Sequence, residues 1–123
     1  ETDTAFTIIH SLDGYDEISL TNDTKVITRE GEKIMTPEQL GKRMVYPADI
    51  YGGATVAQAA DIFLQVIKGE GTWAQHAVVL ANAAMALFST GVYSSYEDAY
   101  LAAVESHESG RAYASLKKLL SLQ

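Results

Sequence analysis

The sequence predicts an α/β fold, with short β-strands in about residues 5–35 followed by helices in about residues 55–120. Up to about residue 51, apolar and polar side chains alternate as in half-buried strands, and beyond it apolar side chains recur at helical spacing. Helix-capping patterns also begin only at residue 36. With 123 residues, the chain is long enough for one domain built around a single core.

Four short segments have the composition of strands. Residues 5–10 are rich in β-branched and aromatic side chains, and the turn signal Asp13-Gly14 follows them. Residues 17–20 and 24–28 alternate polar and apolar side chains. Gly31 indicates a turn into a further short run at residues 33–35.

Capping patterns predict where the helices begin. A Ser or Thr followed three residues later by Glu or Gln can cap two free backbone N–H groups reciprocally. The pattern occurs at residues 36–39, 55–58, 72–75 and 94–97. The second pattern starts a helix that ends before Gly69 and has an apolar face formed by Val56, Ala59, Ala60, Phe63, Val66 and Ile67.

The later helices follow from the same signals. Residues 73–88 are apolar on nearly all sides, which predicts a buried helix that its neighbours pack closely. A third helix is expected from Tyr96 to about His107. The break at Ser109-Gly110 then precedes a final short helix.

Composition and charge exclude several classes of function. The net charge is -7 and Lys and Arg do not cluster, so nucleic-acid binding is not expected. The chain has no cysteine, which excludes disulfides and thiolate sites and fits a reducing compartment. The longest apolar run, residues 77–88, is too short to cross a bilayer. Because residues 1–4 are polar and acidic and do not begin with Met, we expect a cytoplasmic protein and an excised piece.

The densest acidic cluster is Asp13-Gly14-Tyr15-Asp16-Glu17. Adjacent carboxylates repel each other unless a cation or hydrogen-bond donors neutralise them. Mg²⁺ suits such a place, because it usually takes one or two carboxylates and completes its octahedron with water and substrate phosphates. The residues alone leave two interpretations open, a solvated acidic turn and a metal site.

Other candidate motifs are expected to be structural. Gly52-Gly53 precedes a helix start, where free N–H groups could hold an anion, but no phosphate-binding glycine pattern accompanies it. We therefore predict a plain turn there. Trp73 opens a helix and is expected to anchor a core or an interface. Three histidines are too few and too scattered for a metal cluster: His10, His76 and His107.

Stretches along nearly the whole chain carry a family resemblance. Residues 9–21, which contain Asp16-Glu17, are similar to a V-H-G-x-x-G-L/V-D-E-I/V/L-S segment, and residues 35–41 to L-T-P-E-D-F-G. Residues 79–87 are similar to an L-L-N-A-A-A-A-L helix, and residues 108–112 to D-S-G-K-A. In order and at matching spacing, these segments resemble anthranilate phosphoribosyltransferases. Three departures leave the loop conformation open: Ser11 for Gly, Asn22-Asp23 for Gly-Pro, and Gln58 for Asn.

The resemblance implies a fold and a reaction. The fold is the carboxyl-terminal portion of a nucleoside phosphorylase/phosphoribosyltransferase-type α/β domain, so residues 1–123 form a single partial domain, a mixed sheet edged by helices. Enzymes of this family transfer phosphoribosyl from phosphoribosyl pyrophosphate to anthranilate in tryptophan biosynthesis. Asp16 and Glu17 match their acidic pair, which holds Mg²⁺ on the pyrophosphate.

The resemblance also implies what lies outside the chain. The family's G-T-G-G-D loop, its anthranilate-binding residues and the helical domain through which it forms homodimers are upstream, so the isolated piece is expected to be inactive. Two alternatives remain. One is a pyrimidine nucleoside phosphorylase, which shares the fold, although the Asp-Glu turn and the helix with Asn82 favour the anthranilate enzyme. The other is an inactive acidic domain that binds a partner protein through its alanine-rich helix.

Overall fold

The computed structural model describes residues 3–123, and the predicted order of strands before helices is confirmed. The strands are β1 (Ile8–Ser11), β2 (Thr24–Thr28) and β3 (Gly31–Met35). The helices are α1 (Pro37–Gly41), a 3-10 helix (Pro47–Ile50), α2 (Val56–Ile67), α3 (Trp73–Ser89), α4 (Tyr96–Glu108) and α5 (Arg111–Ser121).

The three strands form an antiparallel sheet in the order β1-β2-β3. Val26 at its centre pairs with Ile9 on one side and Lys33 on the other. The expected mixed sheet is therefore wrong for the described part of the chain. A two-residue turn joins β2 to β3 and a loop joins β1 to β2, and such direct returns make sequential strands antiparallel.

Residues 17–20 are not a strand, although they were predicted to be one. Ile18, Ser19 and Leu20 are all buried, so the alternation of polar and apolar letters does not correspond to two faces. Leu20 has a φ of 59°, in the left-handed region, which ends any extended run. The backbone groups of Ile18 bond to a side chain of α3 rather than to a neighbouring strand.

The capping patterns locate the helix starts with one shift. Reciprocal caps form at Thr36 with Gln39 and at Thr72 with Gln75, as predicted. Thr55 caps α2, but the Gln58 side chain bonds Ala54 instead of Thr55. The predicted cap at Ser94 is wrong, because the adjacent Ser95 lies next to the first helical residue and accepts from the N–H of Asp98 at 3.1 Å.

The core lies between the strand-and-loop layer and one side of α3. The buried apolar side chains of this layer are Ile18, Leu20, Val26, Leu40 and Val45. On α3 they meet small residues and one methionine: Ala74, Ala77, Ala81 and Met85. A second cluster joins α3 to α4 through Ala84, Tyr100 and Ala103. The Tyr96 hydroxyl donates to the carbonyl of Leu40 at 2.6 Å, and burial raises the pKa of this side chain.

The prediction that α3 is a buried helix is only partly correct. One side carries exposed Val79, Ala83 and Ala86, and it faces a cleft of about 790 Å³ beside α2. Val66 is the buried residue of α2, while Phe63 on its predicted apolar face is 54% exposed. Helical periodicity identifies an apolar face but does not say what covers it. Within residues 3–123, no helix is long and apolar enough to cross a membrane.

Candidate metal-binding turn

The acidic cluster lies in the loop that joins β1 to β2. The N–H of Ser11 donates to the carbonyl of Tyr15 at 3.1 Å, and the N–H of Gly14 donates to the carbonyl of Ser11 at 3.0 Å. Gly14 has a φ of 100°, a conformation that glycine adopts readily. The N–H of Leu12 donates to the carbonyl of Asp23 at 2.9 Å, so the two ends of the loop are joined.

Hydroxyl groups hold the first carboxylate of the cluster, Asp13. Ser11 Oγ donates to one carboxylate oxygen at 2.8 Å, and Thr21 Oγ1 donates to the other at 2.5 Å. Ser19 Oγ lies between these donors, 2.7 Å from Ser11 Oγ and 2.8 Å from Thr21 Oγ1. The hydrogen bond from Thr21, and to a smaller extent that from Ser11, holds the pKa of Asp13 below its ordinary value. Asp13 therefore organises the loop, with both of its oxygens engaged.

The two predicted metal ligands, Asp16 and Glu17, are exposed neighbours at the outer edge of this loop. Among residues 3–123, neither carboxylate takes part in a hydrogen bond or an ion pair with another side chain. The same residues contain no group of three or more His, Asp and Glu side chains that could hold a metal ion. A pair of free carboxylates fits Mg²⁺, which takes one or two and fills its remaining positions with water and phosphate oxygens.

A side chain from α3 holds the carboxyl side of the turn. Asn82 Oδ1 accepts from the N–H of Ile18 at 3.0 Å, and Asn82 Nδ2 donates to the carbonyl of Ile18 at 2.8 Å. Sequence reasoning did not assign this residue to the site. The available signal was a lone amide in the otherwise apolar run of residues 77–88.

Leu20 stabilises the same segment by packing. Its side chain is fully buried even though its backbone has a φ of 59°, which costs roughly 1–2 kcal/mol for a residue with a Cβ. Gly41 of α1 lies against it, and a Cβ at Gly41 would approach Leu20 Cδ1 to 2.4 Å. The carbonyl of Leu20 also accepts from the N–H of Val45 at 2.9 Å. Packing therefore maintains this backbone conformation three residues after Glu17.

The other motifs lie elsewhere. His10 is exposed on β1, whereas the rings of His76 and His107 lie 4.7 Å apart. His107 contacts the Val66 carbonyl of α2, and His76 contacts Gly71 in the connection between α2 and α3. Trp73 is 43% exposed, with the Arg43 guanidinium 3.7 Å from its ring centroid, so it is not a core residue.

The glycine pair Gly52-Gly53 lies in the connection between the 3-10 helix and α2. Gly53 has a φ of 91°, and its Cβ position would lie 2.9 Å from Gln58 Cβ. Both the positive φ and the close approach favour glycine at residue 53. The plain turn at Gly52-Gly53 stays a prediction.

Residues 2–113 match a family model described as the glycosyl transferase family, a/b domain. This match covers most of the 123 residues. The chain belongs to this family.

Two similar proteins refine the comparison for this glycosyl transferase family member. The anthranilate phosphoribosyltransferase of Bacteroides thetaiotaomicron is 48% identical over 122 residues, which is 99% of this chain and 37% of that protein. The enzyme of the same name from Flavobacterium johnsoniae is 46% identical over 121 residues, which is 98% of this chain and 36% of that protein. The resemblance to anthranilate phosphoribosyltransferases is confirmed, and the chain spans just over a third of these relatives.

Solved structures confirm the fold class of this family member. The crystal structure of anthranilate phosphoribosyltransferase from Thermus thermophilus aligns with a TM-score of 0.80 at 26% identity, over 96% of this chain and 35% of that chain. The Saccharomyces cerevisiae enzyme in complex with PRPP and Mg aligns with a TM-score of 0.72 over 92% of this chain and 32% of that chain. At 19% identity, the yeast likeness shows the fold alone.

Proposed function

We propose that this chain is the carboxyl-terminal part of an anthranilate phosphoribosyltransferase. The observation that carries the proposal is the identity of 48% and 46% to two enzymes of that name over nearly the whole chain. The full protein would convert anthranilate and phosphoribosyl pyrophosphate to N-(5-phosphoribosyl)anthranilate and pyrophosphate, in the cytoplasm, as a step of tryptophan biosynthesis. It would form a homodimer through a helical domain outside this chain.

The chemistry explains why an acidic turn is useful. The bond between C1 of the ribose and the pyrophosphate oxygen breaks, and its electron pair leaves with pyrophosphate. The amine of anthranilate forms the new C1–N bond and then loses a proton. Negative charge therefore grows on the departing group, and bound Mg²⁺ would neutralise part of that charge.

Asp16 and Glu17 would hold this ion. Their carboxylates are exposed and free of other partners among the described residues, whereas hydroxyl groups engage Asp13. The loop beneath them is bonded at both ends before any ligand arrives, so little reorganisation is needed on binding. Because two carboxylates are a weak site alone, Mg²⁺ affinity should depend on pyrophosphate oxygens from the substrate.

The test is an assay of the longer protein in which this sequence occurs. We expect the fluorescence of anthranilate to fall when phosphoribosyl pyrophosphate and Mg²⁺ are both present. The isolated 123-residue chain should stay at background in the same assay, because the proposed phosphate-binding loop lies outside it. Turnover by the isolated chain well above background would contradict the assignment as a partial domain.

The two alternative functions predict other activities for the longer protein. Phosphorolysis of pyrimidine nucleosides without consumption of anthranilate would identify a nucleoside phosphorylase instead. A protein that catalyses neither reaction but captures a partner protein through α3 would be a binding domain.

A further inference from the structure

Asn82 is a polar residue on an apolar stretch of α3, and its side-chain amide is oriented by three hydrogen bonds. Its oxygen accepts from the N–H of Ile18 at 3.0 Å. Its nitrogen donates to the carbonyls of Ile18 and Val78, both at 2.8 Å. A reversed amide would place its oxygen against two carbonyls and its nitrogen against an N–H, so the network determines which way the amide points.

These bonds act on the backbone that follows Glu17. The N–H of Ile18 belongs to the planar peptide that joins Glu17 to Ile18, so a bond to it orients that whole peptide. The bond to the carbonyl of Ile18 orients the next peptide in the same way. The Ile18 side chain is itself 2% exposed, in the core beside α3. Asn82 is thus an anchor of the acidic turn contributed by a residue 64 positions later in the chain.

Different contacts hold different parts of the turn. Hydroxyls from both sides, Ser11 and Thr21, bond Asp13 and hold the loop. Residues 17–20 have no strand pairing: Ser19 Oγ contacts Ser11 Oγ, Leu20 is held by packing, and Asn82 bonds both backbone groups of Ile18. Loss of the amide would release the Glu17–Ile18 and Ile18–Ser19 peptides from these bonds, while Asp13 would still close the loop.

We infer that Asn82 is a positioning residue for the Asp16–Glu17 pair, because its amide holds the backbone that presents these carboxylates to Mg²⁺ and pyrophosphate. The inference rests on the proposed function. Without Asn82 the turn samples more conformations, and ligand binding must then order it. That ordering weakens the binding of Mg²⁺ and substrate without removing a ligand.

The experiment uses the full-length protein with Asn82→Ala and Asn82→Asp. Aspartate has nearly the shape of asparagine and keeps an acceptor for the N–H of Ile18, but it lacks both donors. The matched control is Tyr96→Phe, which removes other side-chain-to-backbone hydrogen bonds, those to the carbonyls of Leu40 and Ala81, and leaves the bonds between Asn82 and Ile18 in place.

We expect two effects that are specific to the Asn82 variants. The Mg²⁺ concentration for half-maximal turnover should rise ~10-fold or more, as is typical when a group that orients a metal ligand is lost. Deuterium exchange of the backbone amides in residues 15–20, measured without metal or substrate, should become ~10-fold faster, because the N–H of Ile18 loses its partner. The Tyr96→Phe protein should match the wild type in both measurements.

An active wild type whose Asn82→Asp variant keeps the same Mg²⁺ requirement overturns the inference alone. Faster exchange with an unchanged Mg²⁺ requirement also overturns it, since Asn82 would then only stabilise the fold. An equal change in Tyr96→Phe would attribute the effect to general destabilisation and would also overturn the inference. A wild-type protein that does not consume anthranilate overturns the proposed function, and the positioning role fails with it.

Discussion

At the scale of single residues, the three carboxylates of the acidic turn have different surroundings. Asp13 is bonded by two hydroxyls, whereas Asp16 and Glu17 have no side-chain partner among residues 3–123. Side chains that contribute no bonds to the fold can be replaced without unfolding it. The structure therefore separates a residue that shapes the loop from two residues that are available to a metal.

The variant Asp16→Asn with Glu17→Gln should keep the fold and lose activity in the full-length protein. We expect turnover to fall ~100-fold or more, about 2.7 kcal/mol of barrier, because the proposed Mg²⁺ site, a strong electrostatic stabiliser of the leaving group, would be lost. The Mg²⁺ dependence should weaken in parallel, as measured by steady-state kinetics across Mg²⁺ concentrations. A double control, Asp61→Asn with Glu108→Gln, removes two exposed charges elsewhere and should retain turnover. Near-normal turnover of the turn variant would show that the acidic turn is merely solvated.

Thr24 offers a test of polar burial at the start of β2. It is fully buried, and its Oγ1 has no hydrogen-bond partner in the part of the chain that the structure describes. An unsatisfied buried hydroxyl destabilises a fold, so Thr24→Val should raise the free energy of unfolding by about 1 kcal/mol. The control Thr28→Val lies on the same strand, but its hydroxyl donates to Glu30 at 2.8 Å, and it should not stabilise. Chemical denaturation measures both, and a destabilised Thr24→Val would contradict this interpretation of the site.

At the scale of elements, His107 of α4 contacts α2, and His76 of α3 contacts the connection that follows α2. The N–H of Gly71, just beyond α2, donates to Nε2 of His76 at 3.1 Å, which requires that nitrogen to be unprotonated. Nε2 of His107 lies 2.7 Å from the carbonyl of Val66, so it carries the proton and donates. The sequence predicts a structural role for both histidines, and these hydrogen bonds are the contacts through which they would act. The contacts lie at and just after the carboxyl end of α2, whose buried residue is Val66.

The His76 contact should make stability depend on pH. Burial, and secondly the nearby His107, lower the pKa of His76 below its ordinary value of about 6.5. A depressed pKa favours the neutral form, so the contribution is present above the unfolded pKa and is lost as pH falls through the folded one. The free energy of unfolding should therefore decrease from pH 7.5 to pH 5.5, and His76→Gln should reduce that decrease. The exposed His10→Gln is the control, and identical slopes for His76→Gln and wild type would rule out this contact as the cause.

The packing of α1 against the turn segment depends on the absence of a side chain at Gly41. Alanine usually stabilises a helical position relative to glycine, by roughly 1 kcal/mol. Here its Cβ would lie 2.4 Å from Cδ1 and 3.0 Å from Cδ2 of Leu20, whose side chain is fully buried, so that side chain would have to shift within the core. Gly41→Ala should therefore destabilise the chain by about 1–3 kcal/mol, as overpacking does.

Gly52→Ala is the matched control for this substitution. A Cβ at Gly52 meets nothing within 4 Å, and this glycine does not have a positive φ. The melting temperature of the Gly52→Ala protein should stay close to that of the wild type. Equal melting temperatures for Gly41→Ala and wild type would show that the Leu20 contact is not a constraint.

At the scale of the whole molecule, the chain leaves an apolar side of its helical layer uncovered. Phe63 of α2 and Val79 of α3 line the cleft and are 54% and 47% exposed. An apolar surface of this kind is unusual for an isolated monomer. We therefore expect the chain by itself to bind a hydrophobic dye and to self-associate.

Paired substitutions test where that association occurs. Phe63→Gln with Val79→Gln should reduce dye binding and the mass measured by light scattering. Val56→Gln with Val92→Gln removes more exposed apolar side chains, 88% and 78% exposed, that do not line the cleft, and it should have a smaller effect. A wild-type chain that stays monomeric at high concentration without binding the dye would show that the cleft is not adhesive.

The sequence by itself determined the features that depend on neighbouring residues. Helix starts follow from side chains that cap the backbone three residues away, so Thr36 and Thr72 were located correctly. The adjacent pair Asp16-Glu17 was likewise visible, because a short acidic run needs no folding to bring its members together. The one mislocated cap, at Ser94, failed because the adjacent Ser95 offers an equivalent hydroxyl.

Only the tertiary structure decided which faces are covered and which groups meet across the chain. Residues 17–20 have the pattern of a strand, yet a left-handed Leu20 and an amide 64 residues beyond Ile18 set their conformation. The apolar letters of α2 and α3 predicted burial, but one side of each faces the cleft. Periodicity records the preference of a side chain for an apolar environment, whereas contact requires a second surface that folding must bring into place. The acidic pair could therefore be identified from the sequence, and the anchor that holds it could not.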